Sequence, residues 1–156
     1  MFEPKFISFE SQAECLDLAG ASILIDVADF EGLKIAAKSL ADDLEKVTGQ
    51  TSRVLNDISN IHVKTAIILG TLERSRQLQK VVDNGKLETS EIEGKWESFT
   101  TNVVENPLNG VGSALVLAGS DKRGAIFAAY TLSEQIGVSP CEIWYLTFNI
   151  NGLTGQ

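Results

Sequence analysis

Apolar residues recur along this chain in two rhythms, and each predicts a different kind of element. Ala21-Ser22-Ile23-Leu24-Ile25-Asp26 is a short apolar run with a glycine before it and Asp26 and Asp29 after it, the pattern of a buried strand. Phe30, Leu33, Ala37, Leu40, Leu44 and Val47 then recur every three or four residues, while Lys34, Lys38, Asp42, Asp43, Glu45 and Lys46 fall largely elsewhere on the wheel. That spacing predicts an amphipathic helix begun by Asp29 and closed by Gly49. Residues 51–55 alternate weakly and read as a strand suited to a sheet edge, followed by a turn over 56–60.

The strand rhythm returns in Thr65-Ala66-Ile67-Ile68-Leu69-Gly70, after which Thr71 is placed to cap a helix running to about Val82 and ended by Asn84-Gly85. Residues 95–104 are rich in aromatic and β-branched side chains and predict a strand, with Trp96 near its start covering one sheet face. The loop 106–110 then makes an antiparallel hairpin with Ala114-Leu115-Val116-Leu117-Ala118. Those five apolar residues end at Gly119, polar residues able to cap follow, and a last helix opens on small and aromatic residues and stops at Gly137. On that helix Phe127 and Tyr130 lie near the face of Ile126 and Ile136, which predicts core packing for them. Two main helices on a mixed sheet make an α+β or α/β domain, without internal repeats or low-complexity tracts.

A chain of 156 residues fits one domain that hides roughly 70% of the surface it exposes when unfolded. An apolar fraction of 44% with 22% charged residues is that of an ordinary globule, and no stretch approaches the ~20 apolar residues of a membrane helix. The net charge of -8, without clustered Lys and Arg, argues against nucleic acid as a partner. Glu88, Glu91, Glu93 and Glu97 gather in a loop-like stretch that reads as a solvated face. Cys15 and Cys141, near opposite ends, make no disulfide framework, and the first residues carry acid and proline where a secretory leader has basic and apolar ones. The expectation is an intracellular, reduced protein, or a secreted one if the amino terminus is incomplete.

Gly119-Ser120-Asp121-Lys122-Arg123-Gly124 has the glycine spacing of a phosphate loop between a strand and a helix. Ala125 and Ile126, however, stand where that loop needs lysine and a magnesium-binding hydroxyl. Gly110-Val111-Gly112 precedes a strand where a dinucleotide fingerprint would follow one. Two readings of the loop remain open. In one, Ser120 and Asp121 satisfy free helix amides and Gly124 allows close helix-to-sheet packing. In the other, Lys122 and Arg123 engage a carboxylate on a sugar or on a neighbouring domain. His62 lacks the companions of a metal site and reads as exposed, neither cysteine has a histidine partner, and no Gly-x-Ser-x-Gly elbow occurs. No cofactor is expected. Asp26, Asp29 and Asp121 could supply a pair of catalytic carboxylates, though nothing in their spacing asks for it.

The segments Ile25-Asp26 with Asp29-Phe30-Glu31-Gly32, Ala36-Ala37-Lys38-Ser39-Leu40, Lys46-Val47-Thr48-Gly49 and Ile67-Ile68-Leu69-Gly70-Thr71-Leu72 run in order along the chain. Gly94-Lys95-Trp96-Glu97-Ser98-Phe99, Val104-Glu105-Asn106-Pro107-Leu108, Ala118 to Gly124 and Leu132 to Pro140 follow them. In these segments residues 21–140 resemble the amino-terminal domain of glycoside hydrolase family 115, the xylan α-1,2-glucuronidases. The resemblance implies a fold like the second domain of chitobiases and β-hexosaminidases, an α+β accessory domain preceding a catalytic (β/α)8 barrel that acts on glucuronoxylan. After Pro140 the family pattern gives way, so residues 141–156 are expected to be an aberrant tail, residues 1–20 an extension or first strand, and the barrel to be absent. No family catalytic residue can then be carried over. Thr71, Asp121, Lys122 and Arg123 become candidates for contact with substrate or with the barrel, from two loops expected to share one sheet edge. The implied function is a truncated, non-catalytic accessory domain whose barrel-facing surface, left uncovered, invites self-association. The alternatives are a free-standing module that binds an acidic sugar or a protein, and an independent glycosidase.

Overall fold

Strands that must bury both faces are apolar without interruption, and the two longest apolar runs sit side by side in the sheet. A computed structural model describes residues 20–56 and 62–136. In it β1 (Ser22–Leu24), β2 (Val54–Leu55), β3 (Val63–Thr71), β4 (Phe99–Glu105) and β5 (Val111–Gly119) form one sheet in the order β2-β1-β3-β5-β4. β2, β1, β3 and β5 run parallel, and β4 is antiparallel to β5. The mixed α+β sheet, the hairpin and the edge position of β2 all follow the sequence reading, although β2 is only two residues long.

Alternation along the strands sends side chains to two cores. Ile23, Ile25, Ile67, Leu69, Phe99, Leu115 and Leu117 face α1 (Glu31–Thr48) and α3 (Lys122–Ile136), which pack side by side. Leu24, Ala66, Ile68, Val104, Ala114, Val116 and Ala118 face Leu78 and Val81 of α2 (Arg76–Asp83) and the loop residues Leu87 and Ile92. Three helices therefore cover the sheet, two on one face and one on the other. Burying each Ile or Leu contributes about 1.5–3 kcal/mol, so both layers matter to stability.

α1 ends at Gly49 as expected, with φ 76 and its N–H donating to the Glu45 carbonyl. Several local expectations change. Phe30, not Asp29, occupies the position before α1, and no side chain caps that end. α2 starts at Arg76 and is capped by Ser75, whose Oγ accepts from Leu78 N; Thr71 is instead the last residue of β3. The strand expected from residue 95 begins at Phe99, and Trp96 is 86% exposed rather than laid on the sheet. Phe127 and Tyr130, expected in the core, are 42% and 49% exposed, because the inward face of α3 is taken by Ala125, Ala128, Ala129 and Leu132. The turn over 56–60, both cysteines and the 141–156 tail lie partly or wholly outside the described residues.

Candidate functional site

Chain direction brings the chemistry to one edge. β1, β3 and β5 are parallel, so their carboxyl ends, and the loops into α1, α2 and α3, lie together; Thr71 pairs with Gly119 across β3 and β5. The loops carrying Thr71, Asp121, Lys122 and Arg123 therefore share one sheet edge. Between β1 and β3 the helices that follow leave for opposite faces, which is where open sheets of this kind hold ligands.

Here that crevice is filled by the chain's own ties. Asp29 Oδ2 accepts from Thr71 N at 2.9 Å and its Oδ1 accepts from Thr71 Oγ1 at 2.9 Å and Phe30 N at 2.8 Å. Thr71 Oγ1 in turn accepts from Arg74 N, so this hydroxyl closes the β3–α2 turn instead of capping the helix. Asp26 Oδ1 accepts from Ala28 N at 2.8 Å and from Arg76 Nη2 at 2.9 Å, while its Oδ2 accepts from Arg76 N at 2.8 Å and Nε at 3.0 Å. The Arg76 hydrogen bonds, opposed by burial, hold the Asp26 carboxyl down to about 2. Gln77 Nε2 donates to the Ile25 carbonyl at 3.0 Å, and the Arg74 guanidinium lies 4.0 Å from the centre of the Phe30 ring.

The second half of the edge is the β5–α3 turn. Asp121 Oδ1 accepts from Gly124 N at 2.8 Å, the bond of a helix amino-terminal cap, and its Oδ2 accepts from Glu97 N at 3.0 Å. Ser120 N donates to the Ser98 carbonyl at 2.8 Å, and Ser120 Oγ accepts from Ser98 N at 3.1 Å. The Arg123 guanidinium donates to the Glu97 carboxylate. Glu97 is held at φ 49, an uncommon conformation for a residue with a side chain, and these partners pin it there. A Cβ on Gly124 would lie 2.1 Å from the Ser98 carbonyl oxygen, and one on Gly119 would lie 2.2 Å from Ala125 N. Both glycines are thus required by close approach, and the phosphate-loop look of this segment comes from that packing.

Lys122 lies across the first turn of α1: a Cβ on Gly32 would meet its Cε at 3.0 Å. Its exposed ammonium forms no ion pair among the described residues. His62 is exposed at the opposite, amino-terminal edge, beside Val63, Lys64 and Gly110. Arg76 and Ser75 are central to the site yet carried no motif, and Asp26, which the sequence offered as a catalytic carboxylate, is instead engaged by Arg76. The sequence signal for them was only the acidic residues that follow an apolar strand and the Ser-Arg that precedes an amphipathic turn.

Chemically, the edge is built to brace. Asp26, Asp29 and Asp121 spend their oxygens on backbone amides and on Thr71 or Arg76, and the Asp26 carboxyl, held down to about 2 by Arg76, is anionic at neutral pH and unsuited to act as a general acid. No helix among the described residues is long and apolar enough to cross a membrane.

No protein-family model matches this chain, and no curated protein matches it. Among solved structures, a family GH115 4-O-methyl-α-glucuronidase with specificity for decorated arabinogalactans is similar, with a TM-score of 0.58 and 24% identity. That similarity covers 77% of this chain and 14% of that protein, so what the two share is the fold of one domain.

Proposed function

We propose that this domain is the accessory, non-catalytic part of an α-glucuronidase-like glycoside hydrolase. Its carboxyl edge would brace a catalytic barrel that removes glucuronic or 4-O-methylglucuronic acid from a polysaccharide. One observation carries the reading. Two of the more specific segments of the resemblance, Gly94 to Phe99 and Ala118 to Gly124, interlock at one junction, in a fold that matches a GH115 protein over most of this chain. The contacts at that junction are architectural, and architecture is what an accessory domain supplies.

The test has two arms. The 156-residue chain incubated with glucuronoxylan, and separately with a glucuronic acid-decorated arabinogalactan, should release no uronic acid. Sequencing the mature transcript beyond the last codon should find a barrel-coding frame. Uronic acid released by the chain alone would sink the non-catalytic part, and a transcript ending in a stop codon without barrel sequence would sink the accessory part.

Lys122, exposed and without an ion pair among the described residues, favours a second reading, a module that binds the carboxylate of an acidic sugar. Calorimetric titration with glucuronic acid should then give heat that Lys122→Ala abolishes; no heat with the unmodified chain ends this reading.

A further inference from the structure

The outward ridge of α3 carries a stripe of exposed side chains whose order reads the same in reverse by size and opposite by charge. Residues 123, 127, 130 and 134 fall at i, i+4, i+7 and i+11, a single stripe opposite the buried Ala125, Ala128, Ala129 and Leu132. The stripe reads Arg123, Phe127, Tyr130, Glu134, and all four side chains are exposed. Its order is symmetric about the point midway between residues 128 and 129. Turned end for end, Phe127 falls opposite Tyr130 and Arg123 falls opposite Glu134.

The charges point the same way. A helix stabilises anions at its amino end and cations at its carboxyl end, and this stripe carries the reverse: Arg123 in the first turn, Glu134 in the last stretch. In the monomer each charge sits at the unfavourable end. Beside an antiparallel copy each sits near the favourable end of the neighbouring helix and near a charge of opposite sign. Phe127 and Tyr130, 42% and 49% exposed, are the large apolar side chains between those two charges.

We propose that two copies of this chain associate through α3, antiparallel about a two-fold axis that passes beside Phe127 and Tyr130. The two aromatic pairs form the centre and the two Arg123–Glu134 pairs the ends, about 16 Å apart along the helix from its 1.5 Å rise per residue. A single helix seam lies at the small end of protein interfaces, so the association is weak and concentration-dependent. Arg123 keeps its bond to Glu97 meanwhile, because a guanidinium has five donors. The proposal stands independently of the enzyme family.

Sedimentation equilibrium of the full chain from micromolar to millimolar concentration tests it. The apparent mass should climb from 16.9 kDa toward twice that value, with Phe127→Ala/Tyr130→Ala remaining monomeric at every concentration. Glu134→Arg, which leaves the Arg123–Glu97 bond untouched, should weaken association at least about tenfold, the loss of roughly 1.4 kcal/mol. Arg123→Glu should do the same, and the double variant Arg123→Glu/Glu134→Arg should recover it; circular dichroism checks that each variant is folded. A wild-type chain that stays monomeric, a folded Glu134→Arg that associates normally, or a double variant that fails to recover would each overturn the proposal. Monomeric behaviour with Phe127 and Tyr130 protected from solvent would overturn it in favour of another segment of the same chain, residues 1–19 or 137–156, as the occupant.

Discussion

Asp26 shows how one side chain joins two segments remote in sequence. Its carboxylate takes two bonds from the Arg76 side chain and one each from the Ala28 and Arg76 amides, so β1 is tied to the start of α2 through a side chain that is itself buried. Its folded value of about 2 lies below the ordinary 3.8, so the stability it confers is fully present above about pH 4 and is lost as pH falls through 2. Because the guanidinium is solvent-exposed, the contribution is about 1–2 kcal/mol rather than that of a sealed pair. Urea unfolding of Asp26→Asn should therefore show that loss at pH 7, with a flatter acid limb between about pH 4 and 2; an unchanged limb would assign the acid sensitivity to other groups. Thr71 gives a second residue-scale test. Thr71→Val deletes the hydroxyl that donates to buried Asp29 and should cost about 1–3 kcal/mol, whereas Ser75→Ala removes the α2 cap and should cost about 1 kcal/mol. Equal fraying of α2 in both variants, read by hydrogen exchange, would restore Thr71 to a capping role.

At the scale of elements, the junction between β5 and α3 inverts a familiar rule. Replacing a helical glycine with alanine usually stabilises by about 1 kcal/mol. At Gly124 the new methyl would strike the Ser98 backbone, which cannot swing aside, so Gly124→Ala should destabilise by about 1–3 kcal/mol and loosen the Glu97–Arg123 pair. A thermal midpoint equal to or above the parent's would contradict this contact. The apolar runs of β3 and β5 were legible in sequence because strands buried on both faces must be apolar throughout, and α1 because its stripe is wide and its glycine stop explicit. What stayed hidden depends on partners remote in sequence. Nothing near Thr71 announces that its hydroxyl serves Asp29, and nothing near Trp96 tells that the chain turns at Glu97 before entering β4. Phe127 and Tyr130 misled for a related reason: three alanines and a leucine already fill the inner face of α3, and aromatic residues alone do not say which side of a helix they occupy.

Over the whole molecule, stability rests on a sheet clad on both faces, and Leu115 lies where it counts most, fully buried on β5, which has β3 on one side and β4 on the other. Leu115→Ala should cost about 2–5 kcal/mol in a single cooperative unfolding transition. A separate transition for the half containing β1 and β2 would instead show two folding units. The same strand order has a consequence in time. β3 leaves the ribosome with one edge waiting for β5, since Val63 pairs with Val111 and Thr71 with Gly119, and the intervening chain must be made first. Throughout that interval Ala66-Ile67-Ile68-Leu69 presents an open, apolar backbone edge, the feature through which nascent chains stick to one another. The hairpin of β4 and β5, by contrast, closes locally and arrives as a finished pair. The β3 edge is therefore open to chaperone capture from its emergence until β5 has been made and pairs beside it.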